Sequence, residues 1–315
     1  MIDIDKLRAV RRIITHADCP DGTASAMLLH DALPETEIRF VRHDSPEHVA
    51  LAAEPGMLFV DFSPPAQRVA DFVAVGAVVL DHHRTARPVV EAFGEFGVFA
   101  DETSEPGVSG AVLAFREVWL PLRGAEASQS EIEHARLFAT IAGVRDTWQT
   151  ASPLWRDACA QAAVLRFFPA DEWIKWINPL DRDRLEDRMQ LGKLLVQKRE
   201  ETAARAIADG LAFATPSGTR VLVVSTTDTS DVAEAYGEQG DVVVGFGYRV
   251  ESGRPRMVLS LRSRGRFDCA AFARAHDGGG HTRAAGATVD IESDASQPYT
   301  FVRERLESYE EEGEE

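Results

Sequence analysis

Imidazole and carboxylate side chains recur in this sequence at the ends of apolar runs. Three positions share the pattern: His16 follows residues 13–15, Asp61 follows residues 58–60, and Asp81-His82-His83 follows residues 76–80. Each apolar run is typical of a buried strand. Open α/β sheets place their sites outside the carboxyl ends of the strands. The pattern therefore predicts one site at the edge of a parallel sheet.

The residue types indicate a metal site. The candidate ligands, in chain order, are His16, Asp18, Asp21, Asp61, Asp81, His82, His83 and Asp146. Imidazole combined with several carboxylates suits Mn²⁺, Mg²⁺ or Fe²⁺ better than a closed, cysteine-rich zinc site does. The carboxylates outnumber the needs of one ion, so two ions sharing a bridging carboxylate are expected. Two ions about 3.5–4 Å apart can stabilise both the attacking and the leaving oxygen of a phosphoryl displacement.

The elements that position these residues follow a βαβ rhythm. Between residues 11 and 100, strand-like runs alternate with predicted helices over residues 22–33 and 65–75. Further helices are expected over residues 107–121 and 130–144. This alternation predicts an α/β fold with a parallel sheet and helices on its faces.

A charged helical segment over about residues 180–211 separates this half from a second α/β region. Strands are predicted over residues 221–225, 241–248 and 256–261, with a short helix over residues 267–276. We therefore expect a catalytic metal-binding domain over residues 1–180, a helical linker over 181–211 and a substrate-binding domain over 212–315.

The second domain carries a candidate phosphate-binding segment. Gly278, Gly279 and Gly280 allow close backbone approach, and their N–H groups can form an anion-binding concavity. His281 can donate to a phosphate oxygen, and the guanidinium groups of Arg262 and Arg283 match phosphate geometry. The alternative interpretation of the glycine run is a tight turn before the last strand.

Composition limits the function classes. The 315 residues are 44% hydrophobic and 27% charged, with a net charge of −17, which argues against a surface for long duplex nucleic acid. Cys19, Cys159 and Cys269 form no CxxC pair, which favours a reducing, cytoplasmic compartment. Neither a signal peptide nor an apolar run near the ~18 residues of a membrane span is recognisable, so no membrane partner is expected.

Other residues of catalytic type are interpreted as structural. The histidines in this class are His30, His43, His48, His134 and His276. Four tryptophans are interpreted as packing residues of a helical subdomain rather than as base-stacking platforms: Trp148, Trp155, Trp173 and Trp176.

Taken together, the motifs resemble those of the DHH phosphoesterase superfamily with its C-terminal DHHA1 domain, in particular the nano-RNase, oligoribonuclease-like and RecJ-related members. The matching segments, in family order, are residues 16–22 (HADCPDG), Asp61, Asp81-His82-His83, Asp146, residues 260–263 (SLRS) and residues 278–286 (GGGHTRAAG). The resemblance covers nearly the whole chain. It implies an N-terminal parallel-sheet DHH domain, a helical linker, a smaller mixed α/β DHHA1 domain and an active site in the cleft between the domains.

The resemblance also implies a role for each position. His16 and an acidic residue of the first motif would hold one ion, and Asp21, His82 and Asp146 the other, with Asp61 as the bridge. Asp81 would orient a ligand imidazole. His83 would face the substrate. Substrate phosphate would meet Arg262, residues 278–281 and Arg283.

The first motif departs from the family pattern at one position. The family places two acids two residues apart, whereas two residues before Asp21 this chain has Cys19. Asp18 is an alternative ligand if the loop is reshaped, Cys19 is a soft alternative, and a third possibility is that neither binds.

The resemblance implies a manganese-dependent phosphodiesterase with two ions, Mg²⁺ or Fe²⁺ being alternatives. Its substrate would be a short oligonucleotide or dinucleotide cleaved from an end, releasing nucleoside monophosphates, and a homodimer is compatible with it. Alternative substrates are a cyclic or linear dinucleotide such as pApA, and adenosine 3′,5′-bisphosphate. An alternative of another class is a degenerate, metal-poor nucleotide-binding regulatory protein.

Overall fold

The computed structural model describes residues 2–43, 45–101, 103–167, 182–251, 253–290 and 297–313. The interpretation of Trp173 and Trp176 and the predicted domain boundary at residue 180 lie outside these residues. Contacts divide the chain into two units, Met1–Val196 and Gln197–Glu315.

The first unit alternates strands with helices, as the sequence predicts. Its strands are β1 (Arg12–His16), β2 (Glu37–Val41), β3 (Met57–Val60), β4 (Val78–Asp81) and β5 (Gly97–Phe99). Its helices are α1 (Ile4–Arg8), α2 (Pro20–Ala32), α3 (Pro46–Val49), α4 (Val69–Ala74), α5 (Arg87–Glu91), α6 (Gly110–Ala114), α7 (Leu120–Arg123), α8 (Gln129–Asp146) and α9 (Trp155–Phe167). A π-helical turn, Phe115–Trp119, joins α6 to α7 without a break.

The five strands form one parallel sheet in the order β2-β1-β3-β4-β5. The chain order reverses between β1 and β3, which makes the carboxyl ends of these two strands the topological switch point. The predicted parallel-sheet domain is confirmed.

The sheet separates two apolar layers because successive strand residues point to opposite faces. Ile13 and Leu58 pack in the layer that contains α2, α6 and α8. Ile14 and Phe59 pack in the opposite layer with Phe72. All four residues of β3 and of β4 are buried, which is why these strands read as continuous apolar runs.

The second unit contains a mixed sheet. Its strands are β6 (Leu211–Ala214), β7 (Arg220–Ser225), β8 (Val242–Glu251), β9 (Arg254–Ser263), β10 (Gly279–His281) and β11 (Ala284–Asp290). The order is β10-β11-β9-β8-β7-β6, and only the β7–β8 pair is parallel. The helices of this half are α10 (Arg182–Ala208), which begins in the first unit, α11 (Thr229–Tyr236), α12 (Cys269–Ala275) and α13 (Pro298–Gly313). The predicted smaller mixed α/β domain is confirmed.

Helix α10 extends over most of the predicted linker and contributes residues to both units, because the division between Val196 and Gln197 falls within it. The domain boundaries themselves stay a prediction. Within the described part of the chain, no helix has both the length and the apolar character needed to cross a bilayer.

Candidate active site

The candidate ligands of the first unit lie at the carboxyl edge of its sheet. His16 is the last residue of β1, Asp61 directly follows β3, and Asp81 is the last residue of β4. Asp61 has a φ of 54°, a left-handed conformation that is unfavourable for a residue with a side chain. Its N–H donates to the Leu80 carbonyl at 3.0 Å, which fixes the chain in this conformation. Backbone strain of this kind is typical of functional sites.

Asp61 lies between two histidines. Its side chain is fully buried; Oδ1 lies 3.1 Å from Nε2 of His82, and Oδ2 lies 4.0 Å from Nδ1 of His16. This is the placement that a bridging carboxylate requires.

His82 faces two further carboxylates. Its Nε2 atom lies 3.5 Å from Oδ2 of Asp146 and 4.0 Å from Oδ2 of Asp21. Asp146 is the last residue of α8, and Asp21 lies in the first turn of α2. The structure thus brings together, from three separate elements, the three residues that the resemblance assigns to one ion.

Asp21 is held by a contact that sequence reasoning did not find. Its Oδ1 atom accepts hydrogen bonds from Ser109 Oγ at 2.7 Å and from the Ala111 N–H at 3.2 Å. Gly110 permits this approach, because a Cβ there would lie 2.3 Å from Cβ of Asp61 and 2.8 Å from Oδ2 of Asp21. A serine before a helical run is a helix-capping signal in the sequence, but nothing local indicates its contact with Asp21.

Asp81 orients His83 rather than His82. Oδ1 of Asp81 lies 2.8 Å from Nδ1 of His83 and accepts the His83 backbone N–H at 2.9 Å. Ser63, a second residue that sequence reasoning missed, donates to Oδ2 of Asp81 at 2.6 Å. Because these bonds engage the Nδ1 edge of His83, its other nitrogen, Nε2, remains for a further partner.

The structure distinguishes the two candidates in the first motif. Asp18 is 67% exposed, has a φ of 58°, and forms an ion pair with Arg42. Cys19 instead belongs to a group with His16 and Asp61 in which one ligand atom from each residue lies within 4.8 Å of the others. Cys19, and not Asp18, therefore lies with the other candidate ligands.

Two histidines interpreted as structural lie beside the site. The His43 ring is 5.0 Å from that of His16 and 4.3 Å from that of Phe62, centroid to centroid. His48 packs on the same phenyl ring, and its Nε2 lies 3.1 Å from the Ser63 carbonyl. No sequence signal near residue 43 indicates this proximity, because it depends on β2 pairing with β1.

The electrostatics of the cluster favour bound cations. Burial, together with Asp21, raises the pKa of Asp61 to about 8, and burial raises that of Asp146 to about 6. Burial opposes protonation of His82, but the three surrounding carboxylates outweigh it and raise the pKa of His82 to about 10. Burial and the same carboxylates raise the pKa of the Cys19 thiol.

The residues present fit divalent metal ions. Among the described residues, three buried ligand atoms of the cluster have no hydrogen-bond partner: Nδ1 of His16, Oδ2 of Asp21 and Oδ2 of Asp61. Buried polar atoms are rarely left unsatisfied, and ligand atoms facing one another are what an ion would satisfy. Three groups are close enough to hold ions: His16 with Cys19 and Asp61; Asp61 with His82 and His83; and Asp21 with His82 and Asp146.

In the second unit, the register places Arg262 and His281 on one face of the sheet. Both are paired directly with Ala284, Arg262 from β9 and His281 from β10, and directly paired residues share a face. Arg262 donates from Nε to Ser230 Oγ at 3.0 Å and from Nη1 to the Leu261 carbonyl at 2.8 Å. Other N–H donors of the guanidinium remain for a ligand.

The glycine run leads into the edge strand β10, which begins at Gly279, and two of its three glycines are required by close packing. A Cβ at Gly278 would lie 2.2 Å from the Gly286 carbonyl oxygen, and one at Gly280 would lie 2.6 Å from the Ala284 carbonyl oxygen. Gly279 has open space around it, and His281 is exposed. Arg283 is exposed in the turn between β10 and β11.

Comparison with known proteins places this architecture in a fold class. No protein-family model matches the sequence, and no curated protein matches it. Among solved structures, exonuclease RecJ bound to manganese is 18% identical with a TM-score of 0.55, over 97% of this chain and 91% of that one. The DHH domain of a member of the s1p family of ribosomal proteins is 15% identical with a TM-score of 0.52, over 98% and 87%. RecJ from Thermus thermophilus in complex with Mn²⁺ is 19% identical with a TM-score of 0.50, over 97% and 53%.

These matches show that the chain shares the fold of proteins that contain a DHH domain. The chain has the DHH fold, and the family resemblance drawn from its motifs is confirmed at the level of the fold.

Proposed function

We propose that this protein is a metal-dependent phosphodiesterase that hydrolyses short oligonucleotides or dinucleotides from an end and releases nucleoside monophosphates. The observation that carries the proposal is the buried cluster around Asp61, whose two carboxylate oxygens face different histidines. Hydrolytic chemistry is also supported by the fold, which is shared with exonuclease RecJ bound to manganese.

In this proposal, two divalent cations bind at the cluster. Asp21, His82 and Asp146 would hold one, His16 and a residue of the first motif would hold the other, and Asp61 would be the ligand shared between them. Mn²⁺ is the preferred assignment for the ion at Asp21, His82 and Asp146, since nitrogen and carboxylate ligands suit it. When bound, the two cations supply an activated water and stabilise charge on the attacking and leaving oxygens.

The protein's own side chains then position the phosphate. Asp81 and Ser63 fix the ring of His83, so that its Nε2 can hydrogen-bond a phosphate oxygen. In the second unit, Arg262 and His281 share a face and bind a terminal phosphate, while Arg283 lies in the adjoining turn. Gly279 lies on the face of His281 and leaves the space beside it free of a side chain, whereas Gly278 and Gly280 turn toward the packed face.

A cavity beside Asp146 supports a nucleotide substrate. It has a volume of about 250 Å³, and its lining includes Arg145, Asp146, Trp148 and Gln161. The Arg145 guanidinium lies 4.2 Å from the centroid of the Trp148 ring, and Trp148 is half exposed. A guanidinium and an indole next to a phosphate-processing site are suited to contact a nucleobase. We therefore propose that Trp148 binds substrate as well as packing against Trp155.

The substrate is tested by ranking hydrolysis rates across a labelled panel with Mn²⁺. The panel contains dinucleotides to decamers, pApA, a cyclic dinucleotide and adenosine 3′,5′-bisphosphate. We expect the shortest linear oligonucleotides to be cleaved fastest. Preference for adenosine bisphosphate would indicate a phosphomonoesterase instead, and absence of metal-dependent hydrolysis of every member would indicate a nucleotide-binding protein.

A further inference from the structure

Cys19 occupies a position from which its sulfur can bind a metal. It precedes α2 as the N-terminal capping residue, yet its side chain makes no capping hydrogen bond. Its carbonyl accepts the Thr23 N–H and the Thr23 hydroxyl, each at 3.0 Å, and Pro20 restricts the backbone that follows. The backbone is therefore fixed. The sulfur lies near the Gly22 N–H of the first turn but closes no capping hydrogen bond on the helix.

The alternative ligand of the same motif is directed elsewhere. The Asp18 carboxylate is paired with Arg42, which follows the edge strand β2. The backbone of Asp18 has a left-handed conformation, with a φ of 58°. For Asp18 to reach Asp61, the ion pair would have to break.

Two buried polar atoms beside Cys19 also lack a partner among the described residues, which indicates that a cation binds there. Oδ2 of Asp61 and Nδ1 of His16 are buried, lie 4.0 Å apart and have no hydrogen-bond partner within the described residues. The Asp61 side chain is 1% exposed. One ligand atom each from His16, Cys19 and Asp61, a nitrogen, a sulfur and an oxygen, thus lie within 4.8 Å of one another.

We propose that Cys19 binds the first cation as a thiolate and gives this position a different metal preference from its neighbour. A thiolate among imidazole and carboxylate favours the softer divalent ions, Fe²⁺, Co²⁺ or Zn²⁺, over Mn²⁺ or Mg²⁺. The group formed by Asp21, His82 and Asp146 offers only oxygen and nitrogen ligands. It therefore still favours the harder cations, Mn²⁺ or Mg²⁺. On binding, the thiol proton is released to solvent as the sulfur–metal bond forms.

Cobalt spectroscopy tests this directly. Metal-depleted protein is titrated with Co²⁺, and a thiolate-to-cobalt charge-transfer band in the near ultraviolet is followed. We expect the band in the wild-type protein and in the matched control Cys159→Ser, and its loss in Cys19→Ser and Cys19→Asp. A band of unchanged intensity in Cys19→Ser, or no band in the wild-type protein, would overturn the inference.

Metal preference gives a second measurement. Cys19→Asp restores two acids separated by one residue, so the ratio of Co²⁺ to Mn²⁺ affinity should fall by about tenfold or more, measured by competition. An unchanged ratio would contradict thiolate ligation.

Alkylation decides the question if the variants do not fold. In the wild-type protein, bound Co²⁺ should slow alkylation of Cys19, mapped by mass spectrometry, while alkylation of Cys159 serves as the internal reference. Equal alkylation of Cys19 with and without metal would exclude a sulfur–metal bond.

The inference about Cys19 rests on the proposed function, because that function is the reason to expect a bound metal. None of these three experiments uses a substrate. A protein that shows the charge-transfer band but is inactive would therefore contradict only the proposed activity. An active enzyme that lacks the band would contradict only the role of Cys19.

Discussion

At the scale of single residues, the proposed chemistry depends most on Asp61. Its strained backbone and complete burial are costly, and both are explained if its two oxygens are shared between cations. His83 differs from His82 in that its Nδ1 edge is held by Asp81, which is itself bonded by Ser63. We propose that His83 contacts the substrate, although it also lies close enough to Asp61 and His82 to share an ion with them.

The raised pKa values predict how metal affinity depends on pH. Protons compete with cations for Asp146, with a pKa of about 6, and for Asp61, with a pKa of about 8. Since metal binding requires the deprotonated carboxylates and a neutral His82, whose pKa is raised to about 10, the affinity for Mn²⁺ should increase as the pH rises from about 6 and should still be increasing at about 8. Calorimetric titration of metal-depleted protein across this range measures it, and a pH-independent affinity would contradict the assignment of these two carboxylates.

Trp148 gives a prediction about substrate binding. Trp148→Ala should raise KM by about tenfold, because stacking of one base is worth about 1–3 kcal/mol. The value of kcat should change little, since in this proposal the indole binds the base and not the reacting phosphate. Leu137→Ala removes an exposed apolar side chain of α8 outside the cavity lining and is the matched control. An unchanged KM for a dinucleotide in Trp148→Ala would restrict Trp148 to packing.

At the scale of elements, the site depends on where three helices begin or end. Helix α2 presents Asp21 from its first turn, α8 presents Asp146 from its last residue, and α6 begins against Asp21. The chain order reverses between β1 and β3, and the site lies at the carboxyl ends of these strands. An open parallel sheet leaves space between its crossovers at such a point.

Ser109→Ala tests the support given by α6. Both Ser109 and Ser128 cap helices, so replacing either with alanine should cost about 1 kcal/mol of stability. Only Ser109 also donates to Asp21, so only Ser109→Ala should weaken Mn²⁺ binding, by about 10–100-fold. The comparison requires thermal unfolding and metal titration of both variants. Equal metal affinity in the two variants would show that Ser109 acts as a cap alone.

The strands that end at the carboxyl edge of the parallel sheet can be recognised in the sequence, but the contacts that support the site cannot. The runs that form β1, β3 and β4 are apolar because both of their faces are buried, so their positions could be predicted. The bonds from Ser109 and Ala111 to Asp21 join residues 88 and 90 positions apart, and no local pattern encodes them. The choice between Asp18 and Cys19 also depends on tertiary structure, namely on the partner that Arg42 offers after β2.

At the scale of the whole molecule, two units divide the proposed work. The first unit contains the candidate metal ligands, and the second contains the row formed by Arg262, Ala284 and His281. The sequence predicts this division, but it does not predict the edge strand β10, because a run of glycines, two of which lie in this strand, rarely indicates a strand. A site formed between the two domains stays a prediction.

His281→Ala tests the division of work. Losing one charge-assisted hydrogen bond to phosphate should raise KM by roughly tenfold, since such a bond is worth about 1.5–3 kcal/mol. Mn²⁺ affinity should be unchanged, because His281 belongs to the other unit. Arg274→Ala, an exposed position on α12, is the control. A fall in metal affinity would mean that His281 belongs to the metal site.

The central claim is that cations bridged by Asp61 perform phosphodiester hydrolysis. The most direct test is to add Mn²⁺ stepwise to metal-depleted protein while following the cleavage of a labelled dinucleotide, in the wild-type protein and in Asp61→Asn. We predict that wild-type activity appears as about two equivalents bind, and that Asp61→Asn loses more than about 100-fold, since even residues that only support metal ligands cost about 10–100-fold. Asp71→Asn, an exposed carboxylate paired with Arg68, should behave as wild type. Wild-type turnover in Asp61→Asn, or no hydrolysis with any divalent cation, would contradict the claim.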